Sequence, residues 1–101
     1  MSSPNKYTLS LTQEAEGDFI DILVYTVQEW GEDKQKEYDV SLSHALDVVK
    51  DNPFLGYRHT LLPEDHRCFN VRNHVLVYQI TNSHIYVLRI LHQRMNLPDH
   101  V

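Results

Sequence analysis

Three side chains that can hold or transfer charge lie close together near the end of the chain. Arg89 stands inside the apolar run 84–91, and His92 and Arg94 follow it. His92 and Arg94 could act as a proton donor and an electrophile toward a bound anion. The structural alternative is that they anchor the end of the chain to a carboxylate or a backbone carbonyl, because a buried polar group without a partner costs about 2 kcal/mol or more. We expect the structural role for all three.

The net charge of −5 is unevenly distributed along the 101 residues. Residues 1–50 carry ten acids and four lysines, whereas residues 51–101 carry five arginines, four acids and six of the seven histidines. Recognition is expected in the second half, because arginine offers a planar fork for carboxylate or phosphate. The acidic balance argues against a broad surface that follows phosphates, so we expect no sequence-specific nucleic-acid binding by the chain alone.

The residues of the run 84–91 are too rich in β-branched types for a surface helix, and they predict a strand covered on both faces. Two more strands are predicted at 66–72 and 75–81, with tight turns at Asn73-His74 and Asn82-Ser83, which makes the three strands antiparallel neighbours. Alternation of apolar and polar residues predicts a first strand at 6–11.

Two helices are predicted between the first strand and the other three. Apolar residues at spacings of three and four predict a helix at 13–30, with Thr12 as its N-cap and Gly31 as its stop. A second helix follows at once and ends at Asn52-Pro53. The short joint predicts an antiparallel helical hairpin.

The predicted fold class is therefore α+β, in the order β-α-α-β-β-β, with the helical hairpin packed on one face of an antiparallel sheet. Residues 1–101 are expected to form a single domain. The first strand is expected at an edge of the sheet or beside the last strand. Because the last two strands are apolar on both faces and one hairpin covers one face, the second face is predicted to need a partner.

Several other residues have unremarkable interpretations. Cys68, the single cysteine, is predicted to be a buried, inert thiol, and Tyr25 and Trp30 are predicted to be core residues. His74 and His84 are predicted to be solvated at turns. No histidine spacing is typical of a metal site, no cofactor is expected, and no apolar run is long enough to cross a membrane. We expect a cytoplasmic protein.

The order of these elements, together with the residues at their ends and turns, resembles the ParE branch of the RelE/ParE toxins of bacterial type II toxin–antitoxin systems. The most specific match is the terminal motif, and the matches extend over nearly the whole chain. They are Tyr7-Thr8-Leu9-Ser10, Asp18-Phe19-Ile20-Asp21-Ile22 with Tyr25-Thr26, Glu29-Trp30-Gly31, Asn52-Pro53 with Gly56, Val77-Tyr78, and Arg89-Ile90-Leu91-His92-Gln93-Arg94-Met95.

The resemblance implies a toxin that inhibits DNA gyrase and is neutralised by a ParD-like antitoxin. RelE toxins share the fold but cut messenger RNA on the ribosome, using a lysine pair on the first strand of the meander, two arginines and a C-terminal tyrosine. Here that strand has no lysine, the first arginine position falls near Val75, the tyrosine position falls near His100, and Arg94 alone remains. We therefore predict an inhibitor that binds and is not an enzyme. The alternatives are a RelE-like ribosome-dependent endonuclease and a non-toxic homologue that binds an antitoxin.

Two sets of candidate site residues follow. Target contact, or a remnant of the RNase site, is assigned to a cationic set, and the segment 93–101 is expected to contact the target. Antitoxin contact is assigned to apolar and aromatic residues of the first helix and the last strands. The cationic set is Arg67, Arg72, Arg89, His92 and Arg94, and the antitoxin set is Phe19, Leu23, Tyr78, Tyr86, Leu88 and Ile90.

Overall fold

The computed structural model describes residues 7–101. Within this range the chain forms four strands, two α-helices and two short 3-10 turns, in the predicted order β-α-α-β-β-β. The strands and helices are β1 (Thr8–Leu11), α1 (Gln13–Trp30), α2 (Glu32–Asp51), β2 (His66–Val71), β3 (His74–Ile80) and β4 (His84–His92), and the 3-10 turns are Pro53–Leu55 and Leu97–Asp99.

The bounds predicted for α1 are confirmed, and the capping contacts explain them. The Thr12 hydroxyl accepts a hydrogen bond from the Ala15 amide at 3.1 Å and donates one to the Leu88 carbonyl at 2.8 Å. At the other end Gly31 has φ +90°, a conformation that L side chains rarely adopt, so the helix stops there and α2 begins one residue later. Thr12 thus ties the start of the helix to the last strand.

The sheet has the strand order β1-β4-β3-β2. β2, β3 and β4 form an antiparallel meander, but β1 pairs with β4 in parallel, so the predicted antiparallel sheet is in fact mixed. Both expected positions of β1 are confirmed, since it lies at an edge and beside the last strand. Lys6, the predicted first residue of this strand, lies outside the described residues. His84 fastens the parallel pair, because its ring contacts the hydroxyls of Thr8 and Ser10. It is therefore not a solvated turn residue as predicted.

The turn between β2 and β3 lies one residue earlier than predicted. Arg72 has φ +52°, and His74 is the first residue of β3 and not part of the turn. The register between β3 and β4 shifts at Val77/Tyr78, which leaves Leu88 as an extra residue in β4. After this bulge β4 no longer pairs with β1, whose last partner is Val87.

The hairpin covers one face of the sheet and encloses the main core. Tyr78 lies at its centre with no exposed surface, and its hydroxyl donates to the Pro53 carbonyl at 2.6 Å and accepts from the Gly56 amide at 3.1 Å. This contact holds the loop that follows α2 against the sheet. The other fully or nearly buried members of this core are Ala15, Leu42, Ala45, Val49, Leu76, Ile85, Val87 and Ile90.

The second face of the sheet is largely covered by the chain itself, which corrects the prediction that it needs a partner. Leu62, from the loop before β2, and Leu97, from the C-terminal 3-10 turn, pack on it. They enclose Cys68, Val75, Val77 and Leu91, none of which is more than 4% exposed. Tyr86 and Leu88, nearer to β1, remain partly exposed. Sequence periodicity could not show that the loop and the C-terminal segment fold back onto this face.

Candidate functional site

A cleft of about 370 Å³ opens between the second half of α1 and the neighbouring ends of β3 and β4. A second hollow of about 510 Å³ adjoins it and shares Trp30, Tyr38 and Asn73. We call the two together the aromatic cleft. Its lining residues are Asp21, Ile22, Tyr25, Thr26, Trp30, Lys34, Tyr38, Arg72, Asn73, His74 and His92.

Exposed aromatic rings form the wall of the aromatic cleft. Tyr25 is 61% exposed and Trp30 is 69% exposed, so the prediction that both are core residues is wrong. Ile22 and Thr26, on the adjacent side of α1, take the inward positions, and the Thr26 hydroxyl bonds the Ile22 carbonyl at 2.6 Å. Large exposed rings grouped around one hollow are typical of interaction surfaces.

Two histidines form the floor of the aromatic cleft. The ring centroids of His74 and His92 lie 5.3 Å apart in an edge-to-face arrangement, and Tyr38 meets His74 in the same way at 5.9 Å. Burial lowers the pKa of His74, the nearby His92 lowers it further, and Asp18 opposes both effects. The Nδ1 atom of His74 is buried and has no hydrogen-bond partner among residues 7–101. His74 is therefore a half-buried neutral ring and not the solvated turn residue that was predicted.

Arg89 belongs to a structural contact between α1, β4 and the C-terminal segment. Its Nε and Nη2 atoms donate to the Asp18 carboxylate at 2.7 and 3.0 Å, and the same carboxylate accepts from the Ile90 amide at 2.9 Å. The remaining nitrogen, Nη1, donates to the His100 carbonyl at 3.0 Å. This arrangement is the structural role expected for Arg89.

The other members of the cationic set lie on different elements. Arg67 donates to the Gly56 carbonyl at 2.9 Å and stacks over the ring of Phe54, so it braces the loop after α2. Arg72 donates to the Ser41 hydroxyl at 2.7 Å and lies over Tyr38, at the rim of the aromatic cleft.

The end of β4 carries the last two members. Nδ1 of His92 accepts from the Arg94 amide at 3.2 Å, while the side chain of Arg94 is exposed. Arg72 and His92 line the two adjoining hollows of the aromatic cleft, whereas Arg89 lines a separate hollow and Arg67 and Arg94 line none of the three. The structure therefore does not gather the predicted cationic residues around one phosphate-sized site.

The predicted antitoxin-contact residues are split between the core and the surface. Tyr78 and Ile90 are buried in the main core, at 0% and 3% exposure, so their burial removes them from any surface. Phe19 packs against the same core and is partly buried, as is Leu23. Tyr86 and Leu88 lie on the opposite face of the sheet and stay partly exposed.

Two further features concern reactive groups. Cys68 is buried, and burial raises its pKa to about 11, which agrees with the predicted inert thiol. Among residues 7–101, no three histidine, cysteine, aspartate or glutamate side chains come together in an arrangement that could hold a metal ion. Neither helix in the described part of the chain is long and apolar enough to cross a membrane.

The sequence model of the family described as "ParE toxin of type II toxin-antitoxin system, parDE" matches residues 9–97. The chain belongs to the ParE toxin family. It is 32% identical over 88 residues to Toxin ParE1 of Mycobacterium tuberculosis, a match that covers 86% of this chain and 90% of the relative. It is 28% identical over 91 residues to Toxin ParE1 of Caulobacter vibrioides, covering 90% and 94%. The resemblance stated from the sequence is thus confirmed.

The fold of the ParE toxin family is also found among solved structures. A chain described as "Chromosomal ParDE TA system from P. aeruginosa" superposes with a TM-score of 0.75 and 16% identity, covering 87% of this chain and 97% of that chain. This likeness confirms the α+β fold class. The residues that match the family model include all of α1, the 3-10 turn Pro53–Leu55 and the first residue of the 3-10 turn Leu97–Asp99. They also include every residue of the cationic set.

Sequence reasoning missed the aromatic cleft. The apolar stripe of α1 placed Trp30 four residues after Thr26 and so on the buried side, but Trp30 is the last residue of the helix and lines an open cleft. A usable signal was the spacing of Asp21 and Tyr25, four residues apart and both off the stripe of Phe19, Ile22 and Thr26.

Proposed function

We propose that this ParE family member inhibits DNA gyrase by binding, without catalysis of its own, and that a ParD-like antitoxin holds it inactive. The observation that carries the first part is the dispersal of the cationic residues. RNA cleavage without a metal needs several donors converging on one phosphate together with a proton acceptor, and each missing donor costs about 10²-fold or more in rate. Arg67 and Arg89 are committed to carbonyls and to Asp18, which leaves Arg94 as the exposed arginine at the end of β4.

The surface proposed for the antitoxin is the aromatic cleft together with the exposed side of α1. Ile20 and Val24 are exposed large apolar residues on that side of α1, next to Tyr25 of the cleft. Gly17 lies three residues before Ile20 and seven before Val24, on the same side of the helix, and a Cβ atom at this position would have no heavy atom within 4 Å. Because glycine weakens a helix and nothing in the described chain requires it here, the gap supports close approach of a partner backbone. Phe19 and Leu23, which are partly buried, then support this surface from the core side of α1.

The experiment that tests the target is inhibition of gyrase by the purified chain. The expected result is loss of negative supercoiling and accumulation of cleaved DNA at toxin concentrations comparable to that of the enzyme. Purified toxin with full helical content but no effect on gyrase would refute the target. Primer extension on translated messenger RNA from expressing cells then separates the alternatives, because cuts placed within codons support a RelE-like endonuclease.

The assignment of target contact to the segment 93–101 has its own test. Arg94→Gln removes the exposed charge at the end of β4, and we expect at least a tenfold rise in the toxin concentration that halves gyrase activity. Arg58→Gln is the matched control, since Arg58 is also exposed but lies in the loop before β2. Equal inhibition by both variants and the unsubstituted chain would remove Arg94 from the target surface.

A further inference from the structure

Asp21 places a carboxylate among the rings of the aromatic cleft. It lies four residues before Tyr25 on α1, and both line the same hollow with Trp30 and Tyr38. Asp21 is exposed and makes no hydrogen bond or ion pair with any side chain among residues 7–101. The neighbouring acid, Asp18, is by contrast fully engaged with Arg89 and the Ile90 amide.

The basic side chains that line the aromatic cleft, Lys34 and Arg72, already have polar partners within the chain. Lys34 donates to Glu37 at 3.2 Å, and Arg72 lies between Ser41 and Glu37, with its Nη2 atom 3.8 Å from the Glu37 carboxylate. The hollow shared by Asp21, Tyr25 and Trp30 therefore has aromatic walls and one carboxylate without a protein partner. Such a combination favours a cation, because aromatic faces attract positive charge and a carboxylate completes the pairing.

The fold already contains the interaction that a cation would make there. The guanidinium of Arg72 lies 5.2 Å from the centroid of the Tyr38 ring, and that of Arg67 lies 5.3 Å from the centroid of Phe54. A planar guanidinium can stack on an aromatic ring and use its edge to bond a carboxylate at the same time, whereas a lysine ammonium is a compact point charge. Arginine is thus the side chain that fits both parts of the hollow.

We propose that the aromatic cleft receives an arginine side chain of the antitoxin, which stacks against Tyr25 and Trp30 and pairs with Asp21. This inference rests on the proposed neutralisation by an antitoxin and adds the chemistry of its anchor. The apolar residues flanking that arginine pack on Ile20 and Val24, so the anchor sits in an apolar segment. Charge complementarity supports this occupant, since α1 carries acids and no basic residue.

The first test uses three blocked peptides that differ at one position. They present arginine, neutral citrulline or glutamate between leucines, and Trp30, the single tryptophan of the chain, reports binding by fluorescence. We expect the arginine peptide to bind at least fivefold more tightly than the citrulline peptide. We expect Asp21→Asn to abolish this preference. Equal binding of arginine and citrulline, or tighter binding of glutamate, would overturn the proposal.

The matched control is Asp47→Asn, which removes the same charge from an exposed position on α2. It should keep the preference for arginine, and loss of the preference in this variant as well would mean that only the overall charge matters. Circular dichroism of both variants checks that each is folded. Because the peptides need neither gyrase nor toxicity, this arm can fail or succeed independently of the proposed function.

The second test uses the ParD-like antitoxin that the proposed function requires, expressed at graded levels in the same cells as the toxin. The dose that restores growth is normalised to the growth defect of each toxin variant alone. Asp21→Asn is expected to need several-fold more antitoxin, and Asp47→Asn is expected to need the same dose as the unsubstituted toxin. An unchanged antitoxin dose for Asp21→Asn would overturn the proposal, because Asp21 would then not contact the antitoxin. A parallel loss of gyrase inhibition by that variant would also overturn it, because the cleft would then belong to the target surface.

Discussion

Replacement of Asp18 by asparagine should separate the structural role of Arg89 from a role in target contact. The Asp18 carboxylate accepts from two nitrogens of Arg89 and from the Ile90 amide, at 2.7 to 3.0 Å. An asparagine keeps the size but offers one acceptor oxygen, and its amide hydrogens would face the guanidinium. The change therefore leaves either the Arg89 guanidinium or the Ile90 backbone amide, two residues after the bulge of β4, without its hydrogen-bond acceptor.

The size of the effect follows from the exposure of the pair. Breaking a fully buried ion pair by removing one partner costs about 3–5 kcal/mol. The Arg89 and Asp18 side chains keep 26% and 16% of their surface exposed, so solvent takes up part of the loss. We expect the free energy of unfolding to fall by about 2–3 kcal/mol. If the free energy of unfolding falls by about 2 kcal/mol per molar urea, the urea concentration at the midpoint of unfolding decreases by about 1–1.5 M.

The assay is urea unfolding followed by far-ultraviolet circular dichroism, with gyrase inhibition measured on the same preparations. Glu37→Gln is the control, because the exposed Lys34–Glu37 pair should contribute less than about 0.5 kcal/mol. Arg89→Met should cost less in the Asp18→Asn background than in the unsubstituted chain, since the pairing with Asp18 is already lost and the bond to the His100 carbonyl remains as the separate contribution of Arg89. An Asp18→Asn variant of unchanged stability with lost gyrase inhibition would refute the structural role of Arg89.

Three further predictions concern single residues. Gly17→Ala should raise the free energy of unfolding by about 0.5–1 kcal/mol, because the site is helical and has room for a methyl group. A lower free energy of unfolding in urea would contradict the open space beside Gly17. Gly56→Ala should lower the free energy of unfolding by about 2 kcal/mol, since the new methyl group collides with the Tyr78 hydroxyl and with the Cys68 backbone carbonyl. A Tyr78→Phe background removes the hydroxyl but not the carbonyl, so it should reduce the penalty only in part in the same assay. Burial lowers the pKa of His74 in the folded state, so the unfolded chain binds the proton more readily and stability should fall as the pH drops below about 6.5. Urea midpoints measured between about pH 7 and 5 should depend less on pH in His74→Gln than in the unsubstituted chain. The exposed-site control His44→Gln should keep the full pH dependence.

Local signals predicted most of the fold because they depend on residues close in sequence. The cap at Thr12, the positive φ at Gly31 and the end of α2 before Pro53 are set by single residues, and all agree with the structure. The parallel pairing of β1 with β4 could not be obtained in this way. It depends on contacts about 75 residues apart, such as that of Ser10 with His84, for which a single sequence carries no spacing signal.

The candidate site was harder to predict because burial at the ends of elements depends on what lies across from them. Trp30 was predicted to be a core residue and Tyr78 to be a surface residue that contacts the antitoxin, yet Trp30 is 69% exposed and Tyr78 is fully buried. The difference is that Tyr78 is covered by the loop at Pro53, whereas Trp30 lines the open aromatic cleft. Pattern alone distinguishes apolar from polar faces, and it cannot distinguish a covered face from an uncovered one.

The folding of the C-terminal segment limits how it can meet a target. Leu97 is buried on the second face of the sheet, and the His100 carbonyl is held by Arg89, which is itself held by Asp18 of α1. Residues 93–96 are exposed between the end of β4 at His92 and the buried Leu97. Because freeing the whole segment would uncover the cluster around Leu97 and leave Arg89 with fewer partners, target contact should use residues 93–96 in their folded conformation. The proposed contact segment would then be a preformed loop, and we predict that variants that loosen Leu97 weaken gyrase inhibition and stability together.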